Sequence, residues 1–426
     1  REKGEKKRKD ITRMASPTNQ RVIVLDMGTM LTRVGWAGDE EPVASFPTVV
    51  GIKRDPQFSP VVGSGAFSRQ KSLQLIHPLR AGKKRVLPAL GGCGASGQHS
   101  RTRSGGPEED MEAEYLATIW RHSIEENLGV PANKHPVLLA DSSITSRQNR
   151  ETMLELLLHD LRVPAVCIKH PDILSLRCTG SETGLVITSG EQATTFTPIV
   201  DGRILQDACA QLQVGGEHVT DQLFKLFKKR GILIPQTEAE MAAMEITKKE
   251  LCFVLPMKGA VDPEDLEGIH RTAGGIDIII SKELYECAEV IFQPHWRFMR
   301  DSAGGVEESR KSISQTVADV IRKCPPETQD ALVSSIVLAG GNSHFVGFSD
   351  RLTMEVMQLM EGKPVNMVMS KLNSTWHGGS MLASMPGSER FFITIEEFDA
   401  RGRDVCEEKW GGAENSAPRF VDHWRR

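Results

Sequence analysis

Val22-Ile23-Val24-Leu25-Asp26-Met27-Gly28-Thr29-Met30-Leu31-Thr32-Arg33-Val34-Gly35-Trp36-Ala37-Gly38-Asp39 is the stretch whose reading decides the fold. An apolar run ending in an Asp, a Gly-containing turn and a second half-apolar run predict a β-hairpin. Its tip would expose backbone N–H groups beside a carboxylate, a candidate phosphate site. The same design recurs at Leu185-Val186-Ile187-Thr188-Ser189-Gly190-Glu191-Gln192-Ala193-Thr194-Thr195-Phe196. Two matched tips facing each other could hold a triphosphate between them.

The rest of the composition narrows the class. A chain of 426 residues can bury a large core and is expected to form about two or three domains. With a formal net charge of -4 it has no long-range attraction for nucleic acid or anionic membrane. Only residues 1–9 are strongly basic, and they read as a solvated arm. The eight cysteines stand singly, without CxxC pairs or zinc-finger spacing, as expected of reduced core thiols in cytosol or nucleus. No apolar run approaches the ~18 residues of a membrane span, and the N-terminal stretch is charged rather than signal-like, so neither membrane insertion nor secretion is expected.

Along the chain, an extended arm from Glu41 to Gly51 precedes a Pro-, Gly- and Ser-rich stretch, 52–65, expected to be a short flexible loop. Residues 83–110 lose all apolar periodicity and read as a disordered insertion. Leu116, Ile119, Trp120, Ile124 and Leu128 then recur at helical spacing, with Gly129-Val130-Pro131 as the stop. Strand Val137 to Ala140, a helix over about 147–161 and strand Ala165 to Ile168 follow, the alternation of a layered α/β domain. The second half repeats the plan. Helices are predicted over about 218–230 and 237–251, and strand Ser335 to Ala339 runs into Gly340-Gly341 and a further helix. A strand, a Gly pair and a helix bring backbone close to whatever lies at the strand's carboxyl end.

Over about residues 21–411 this pattern resembles the actin family. The first hairpin is similar to the family's first phosphate loop, standing here as Asp26-Met27-Gly28-Thr29-Met30 with Arg33 and Gly35-Trp36-Ala37-Gly38-Asp39. Further matches follow in the family's order: Phe46-Pro47, Ile119-Trp120, His135-Pro136, Asn149-Arg150-Glu151, Val163-Pro164-Ala165, Thr183-Gly184, Leu251-Cys252, Phe292-Gln293-Pro294, Gly340-Gly341, and Trp376 with Gly378-Gly379-Ser380. The resemblance implies an α/β, two-lobed actin-like fold of the actin/Hsp70/hexokinase superfamily with a central nucleotide cleft. The expected division is an outer lobe of 21–162 and 372–411 and an inner lobe of 163–371 with a smaller subdomain at about 215–285, flanked by tails at 1–20 and 412–426.

ATP or ADP with Mg is the cofactor so implied, and the carried-over nucleotide set is Asp26, Gly28, Thr29, Met30, Arg33, Ser189, Gly190, Glu191, Gly216, Lys248, Lys249, Gly340, Gly341, Asn342 and Phe345, with Asp26 facing the metal through water. The departures fall on the reactive positions. Met30 replaces a Gly where backbone normally approaches phosphate. Thr188 replaces the second hairpin's acid and Thr195 the water-orienting His. Glu155 is aligned with the Gln of the preceding helix, and as a carboxylate facing a triphosphate it is repelled by it. Lys249 replaces a Glu at the ribose, and Leu372 stands where a Lys meets the base. The expectation is an actin-related protein serving as a structural or interaction subunit of a cytoskeletal or other multiprotein assembly, binding ATP weakly or structurally, with little or no hydrolysis. The alternative is a slow, polymerising ATPase using Glu155 as base. Expected partners are other proteins, actin or other actin-related proteins among them, with no direct nucleic-acid or membrane binding. The expected place is the cytoplasm and cytoskeleton, with the nucleus as second compartment.

Overall fold

The computed structural model describes residues 20–53, 55, 57–79, 107–140, 152–256, 266–293 and 311–410. The first hairpin forms as read. Ile23–Met27 (β1) is buried at every position, because it lies between two neighbours in a sheet whose faces are both covered. Leu31–Trp36 (β2) pairs with it antiparallel, and Ala44–Pro47 (β3) pairs with β2. The next strands, Val50–Ile52 (β4), Val61–Val62 (β5) and Gln74–Ile76 (β6), make a small separate sheet in the order β5-β4-β6. The stretch 52–65 therefore differs from the expected loop. It carries β5 and the start of a short helix, Ser64–Ser68, because Val62 pairs with Val50 over a pocket of Val49, Ala66, Leu73 and Leu75.

Of the expected insertion at 83–110, only 107–110 are described, as the start of helix Pro107–Arg121. The expected tails at 1–20 and 412–426 lie outside the described residues except Gln20. That helix continues into a wider turn, His122–Asn127, so the predicted helix through Leu128 is present with a change of pitch. Val137–Ala140 (β7) and Ala165–Lys169 (β8) complete a six-stranded sheet with Ile393–Thr394, in which β7 lies parallel to β1 and β8 parallel to β7.

The second sheet repeats this plan. Gly184–Ser189 (β9) and Thr194–Val200 (β10) form the second hairpin, followed by Arg203–Ile204 (β11) and Ala210–Leu212 (β12) on β10. Helices Gly216–Lys229 and Glu238–Leu251 and the hairpin Gly268–Arg271 (β13) with Asp277–Ile280 (β14) follow. Ile336–Ala339 (β15) then pairs parallel to β9, and Met367–Met369 (β16) parallel to β15. In both sheets an antiparallel hairpin takes a later strand, parallel, on its free edge, which is why the two stretches looked alike in sequence.

Two helices lie where the halves meet. Pro171–Cys178 follows β8 and Ser374–Ser384 follows β16. They cross at Gly378, where a Cβ would run into the carbonyl oxygen of Leu174. Trp376, fully buried, donates its indole N–H to the Val24 carbonyl at 3.0 Å. Gly35 leaves room for that ring, since a Cβ there would stand 2.6 Å from it. Burying an aromatic of this size contributes about 2–3 kcal/mol, so the contact joins helix Ser374–Ser384 firmly to β1.

Candidate functional site

Both hairpin tips open on one cavity of about 790 Å³. On the first, the register sets Asp26 directly opposite Arg33. The two side chains meet, Arg33 Nη1 donating to Asp26 Oδ2 at 3.1 Å. Burial pushes the Asp26 carboxyl above its ordinary range, and Arg33 only partly opposes this. Arg33, expected on the phosphates, is thus already engaged by the neighbouring acid. The turn is closed by Gly28 N–H donating to the Leu31 carbonyl at 2.9 Å, and Thr48 donates to the Gly28 carbonyl at 2.7 Å. Thr29 and Met30 form the cavity edge of that turn.

On the second tip, Thr188 and Thr195 line the cavity and face each other across the register. Thr188 Oγ1 donates to Asp172 Oδ1 at 2.7 Å and Thr197 Oγ1 to Asp172 Oδ2 at 2.5 Å. Asp172 is buried in the first turn of helix Pro171–Cys178, where the helix N-terminus favours an anion. Sequence reading missed it, although His170-Pro171-Asp172 carries a helix-start signal in Pro and an early acid. Ser189 does not line the cavity. It is buried behind the tip, sharing a hydrogen bond with Thr194 at 3.1 Å and receiving one from Asn342 at 3.2 Å. Asn342 also donates to the Gly190 carbonyl at 2.7 Å.

Lys248 lines the cavity with its side chain only 4% exposed. Its ammonium reaches Glu245 Oε1 at 2.5 Å, the Gly216 carbonyl at 3.0 Å and Thr220 Oγ1 at 3.0 Å, with Glu191 Oε2 at 3.6 Å. Three short contacts use an ammonium's three N–H groups. Glu245, one helical turn before Lys248, is the second residue the sequence reading missed, and its signal was the three-residue spacing. Gly216 sits behind Glu191, where a Cβ would stand 2.5 Å from Glu191 Oε2. Lys249, Gly340, Gly341 and Phe345 line the far end, together with Leu372 and His344, whose imidazole burial holds below its ordinary pKa.

Glu155 is the correction. It is exposed and absent from the cavity wall, whereas Met153 and Leu156 beside it are buried and line it. Residues one and two apart on a helix do not share a face, whereas residues three apart do, so Met153 and Leu156 take the inner face together and Glu155 does not. The position beside the second tip goes instead to Pro171 and Asp172.

At about 790 Å³ this cavity is large enough for a nucleotide, and a Cβ at Gly341 would meet nothing within 4 Å. Its charged side chains do not suit a tightly held Mg-triphosphate. Arg33 and Lys248 are committed to acids, Asp26 is paired, and Asp172 is bonded by two threonines. Among the described residues no group of three His, Cys, Asp or Glu side chains is placed to hold a metal ion.

Two sheets of one plan, each giving a hairpin tip to a shared cleft, define the two-lobed nucleotide-cleft class of proteins. Within that class the family model "Actin" matches residues 18–83 and 109–411, and the chain belongs to the actin family. It is similar to Actin-like protein 9 of Mus musculus, 26% identical over 406 residues that cover 92% of this chain and 89% of that protein. It is a divergent actin-related protein.

Proposed function

We propose that this actin-related protein is a structural and interaction subunit of a cytoskeletal or other multiprotein assembly, in which the cleft holds ATP or ADP weakly and does not hydrolyse it. The observation that carries this reading is the state of the cleft's charges: Arg33 faces Asp26 and Lys248 faces Glu245 rather than standing free for phosphate. Hydrolysis in such a cleft needs a positioned water, a metal shell and free cations. Thr188 and Thr195 offer hydroxyls where a carboxylate and an imidazole would serve, and Glu155 lies outside the cavity. Nucleotide contact then falls to backbone and shape at Gly28, Thr29, Gly190, Gly340 and Gly341.

Protein partners, actin or another actin-related protein among them, are supported by the outer face of the β13–β14 hairpin. Ile269 and Ile279 stand opposite each other there, 57% and 58% exposed, beside Ile276 at 67%. Exposed apolar patches of this kind serve contacts. We place the protein in the cytoplasm and cytoskeleton, with the nucleus as second compartment and without direct nucleic-acid or membrane binding. Among the described residues no helix is long and apolar enough to cross a membrane. The test is phosphate release from ATP together with pelleting of the purified chain. We expect neither turnover nor sedimenting filaments, and finding both would establish the polymerising ATPase instead.

A further inference from the structure

We infer that the ion pairs inside the cleft stand in for nucleotide and cation, so that this protein folds and stays folded without either. The inference deepens the reading of a weakly binding, non-hydrolysing cleft and rests on it.

The ammonium of Lys248 is the centre of the first tie. It sits on helix Glu238–Leu251 and bonds the Gly216 carbonyl and Thr220 hydroxyl of helix Gly216–Lys229 at 3.0 Å each. Its ion pair to Glu191 at 3.6 Å brings in the tip of the second hairpin. Asn342, in the turn after β15, adds a fourth element by its amide, bonded to Ser189 and Gly190 of the same tip. The second tip, helix Glu238–Leu251 and the turn after β15, all of which line the cavity, and helix Gly216–Lys229 behind them are therefore fastened to one another by buried protein groups. A bound ligand spanning these elements would do the same work, and would stabilise only in proportion to its affinity.

The second tie is at the phosphate end. Asp26 and Arg33 have side-chain exposures of 12% and 15%, so each would be a poorly solvated lone charge without the other. A buried charge left unpaired is strongly destabilising. A phosphate that drew Arg33 away would leave Asp26 in that condition, so the pair both stabilises the tip and opposes the ligand. Glu191 acts likewise at the second tip, because its carboxylate fills the space beside Gly216. The pairs that neutralise the cleft also lower its affinity, and that links a stable fold to weak binding.

The test uses the full purified chain, treated with EDTA and apyrase and melted with and without about 1 mM Mg-ATP. A ligand present at about a hundred times its Kd would raise the midpoint of a chain this size by roughly 3 °C. We expect a cooperative transition in both states, differing by less than about 3 °C. Loss of the cooperative transition after EDTA and apyrase, or a rise of about 3 °C or more on adding Mg-ATP, overturns the inference. Arg33→Met is expected to lower the midpoint by about 4 °C or more, equally with and without nucleotide. A melt like that of the parent protein also overturns it. If Arg33→Met yields no folded protein, Glu191→Gln serves, with an expected loss of about 2 °C that Mg-ATP does not restore; restoration counts against the inference. Phosphate release is scored separately, so a nucleotide-dependent fold without turnover sinks only this inference, while turnover with filaments sinks the reading beneath it.

Discussion

Thr188 and Asp172 are joined by a 2.7 Å hydrogen bond from the threonine hydroxyl to the aspartate carboxylate. The second hairpin has no acid on its strand at this position, yet a buried carboxylate stands behind it, supplied by the helix that follows β8. The negative charge here lies not on the strand but in the support, where two hydroxyls and a helix N-terminus hold it.

Removing that carboxylate therefore leaves two buried hydroxyls without their acceptor. Asp172→Ala is expected to lose about 2–4 kcal/mol of stability and Thr188→Val about 1–2 kcal/mol. Chemical denaturation of the purified variants checks both. Equal stability of Asp172→Ala and the parent protein would show that the carboxylate is not a support.

Asp26 gives a pH dependence. Burial raises its folded pKa above the unfolded value, so its contribution is present below the unfolded value and is lost as pH rises through the folded one. Asp26→Asn does not titrate. Its melting temperature relative to the parent protein is expected to move in its favour as pH rises above about 4, the ordinary carboxylate value. A difference that stays constant, or moves the other way, would refute this assignment.

His270 acts at the other end of the scale. It is fully buried against Phe227, with Nδ1 2.7 Å from the Thr247 hydroxyl and Nε2 without a hydrogen-bond partner. Burial lowers its pKa, with Glu240 opposing. The neutral ring's contribution is full above the unfolded value and is lost as pH falls through that value toward the folded one. We expect the parent protein to lose stability between about pH 7 and about pH 5, and His270→Gln to show a shallower slope over that window. Melting curves at stepped pH decide it.

Gly378 sets the distance between the two helices at the junction of the halves. An added Cβ meets the Leu174 carbonyl, and backbone cannot step aside as a flexible side chain does. Gly378→Ala is expected to destabilise by about 1–3 kcal/mol, read by denaturation. Gly341→Ala, with open space about it, is the matched control and should change stability by less than about 1 kcal/mol.

The sequence by itself determined the two hairpins, their apolar strands and the Gly pair after β15, because strand alternation, turn residues and run lengths are local. The pairing of Asp26 with Arg33 is local too, since a short turn fixes a hairpin's register, although the resemblance sets Arg33 on the phosphates. The tertiary structure alone decided which charges meet across the fold. Asp172 reaches Thr188 only because β8 and β9 lie in different sheets and the helix between them points its first turn at the second tip. Glu191 reaches Lys248 only because two later helices pack beneath that tip. Glu155 is set in the cleft by the resemblance alone, and the packing of Met153 and Leu156 turns it outward instead. Local pattern fixes elements, whereas the partners of a buried charge depend on chain segments far apart in sequence, and in this cleft those partners separate a holding site from a catalytic one.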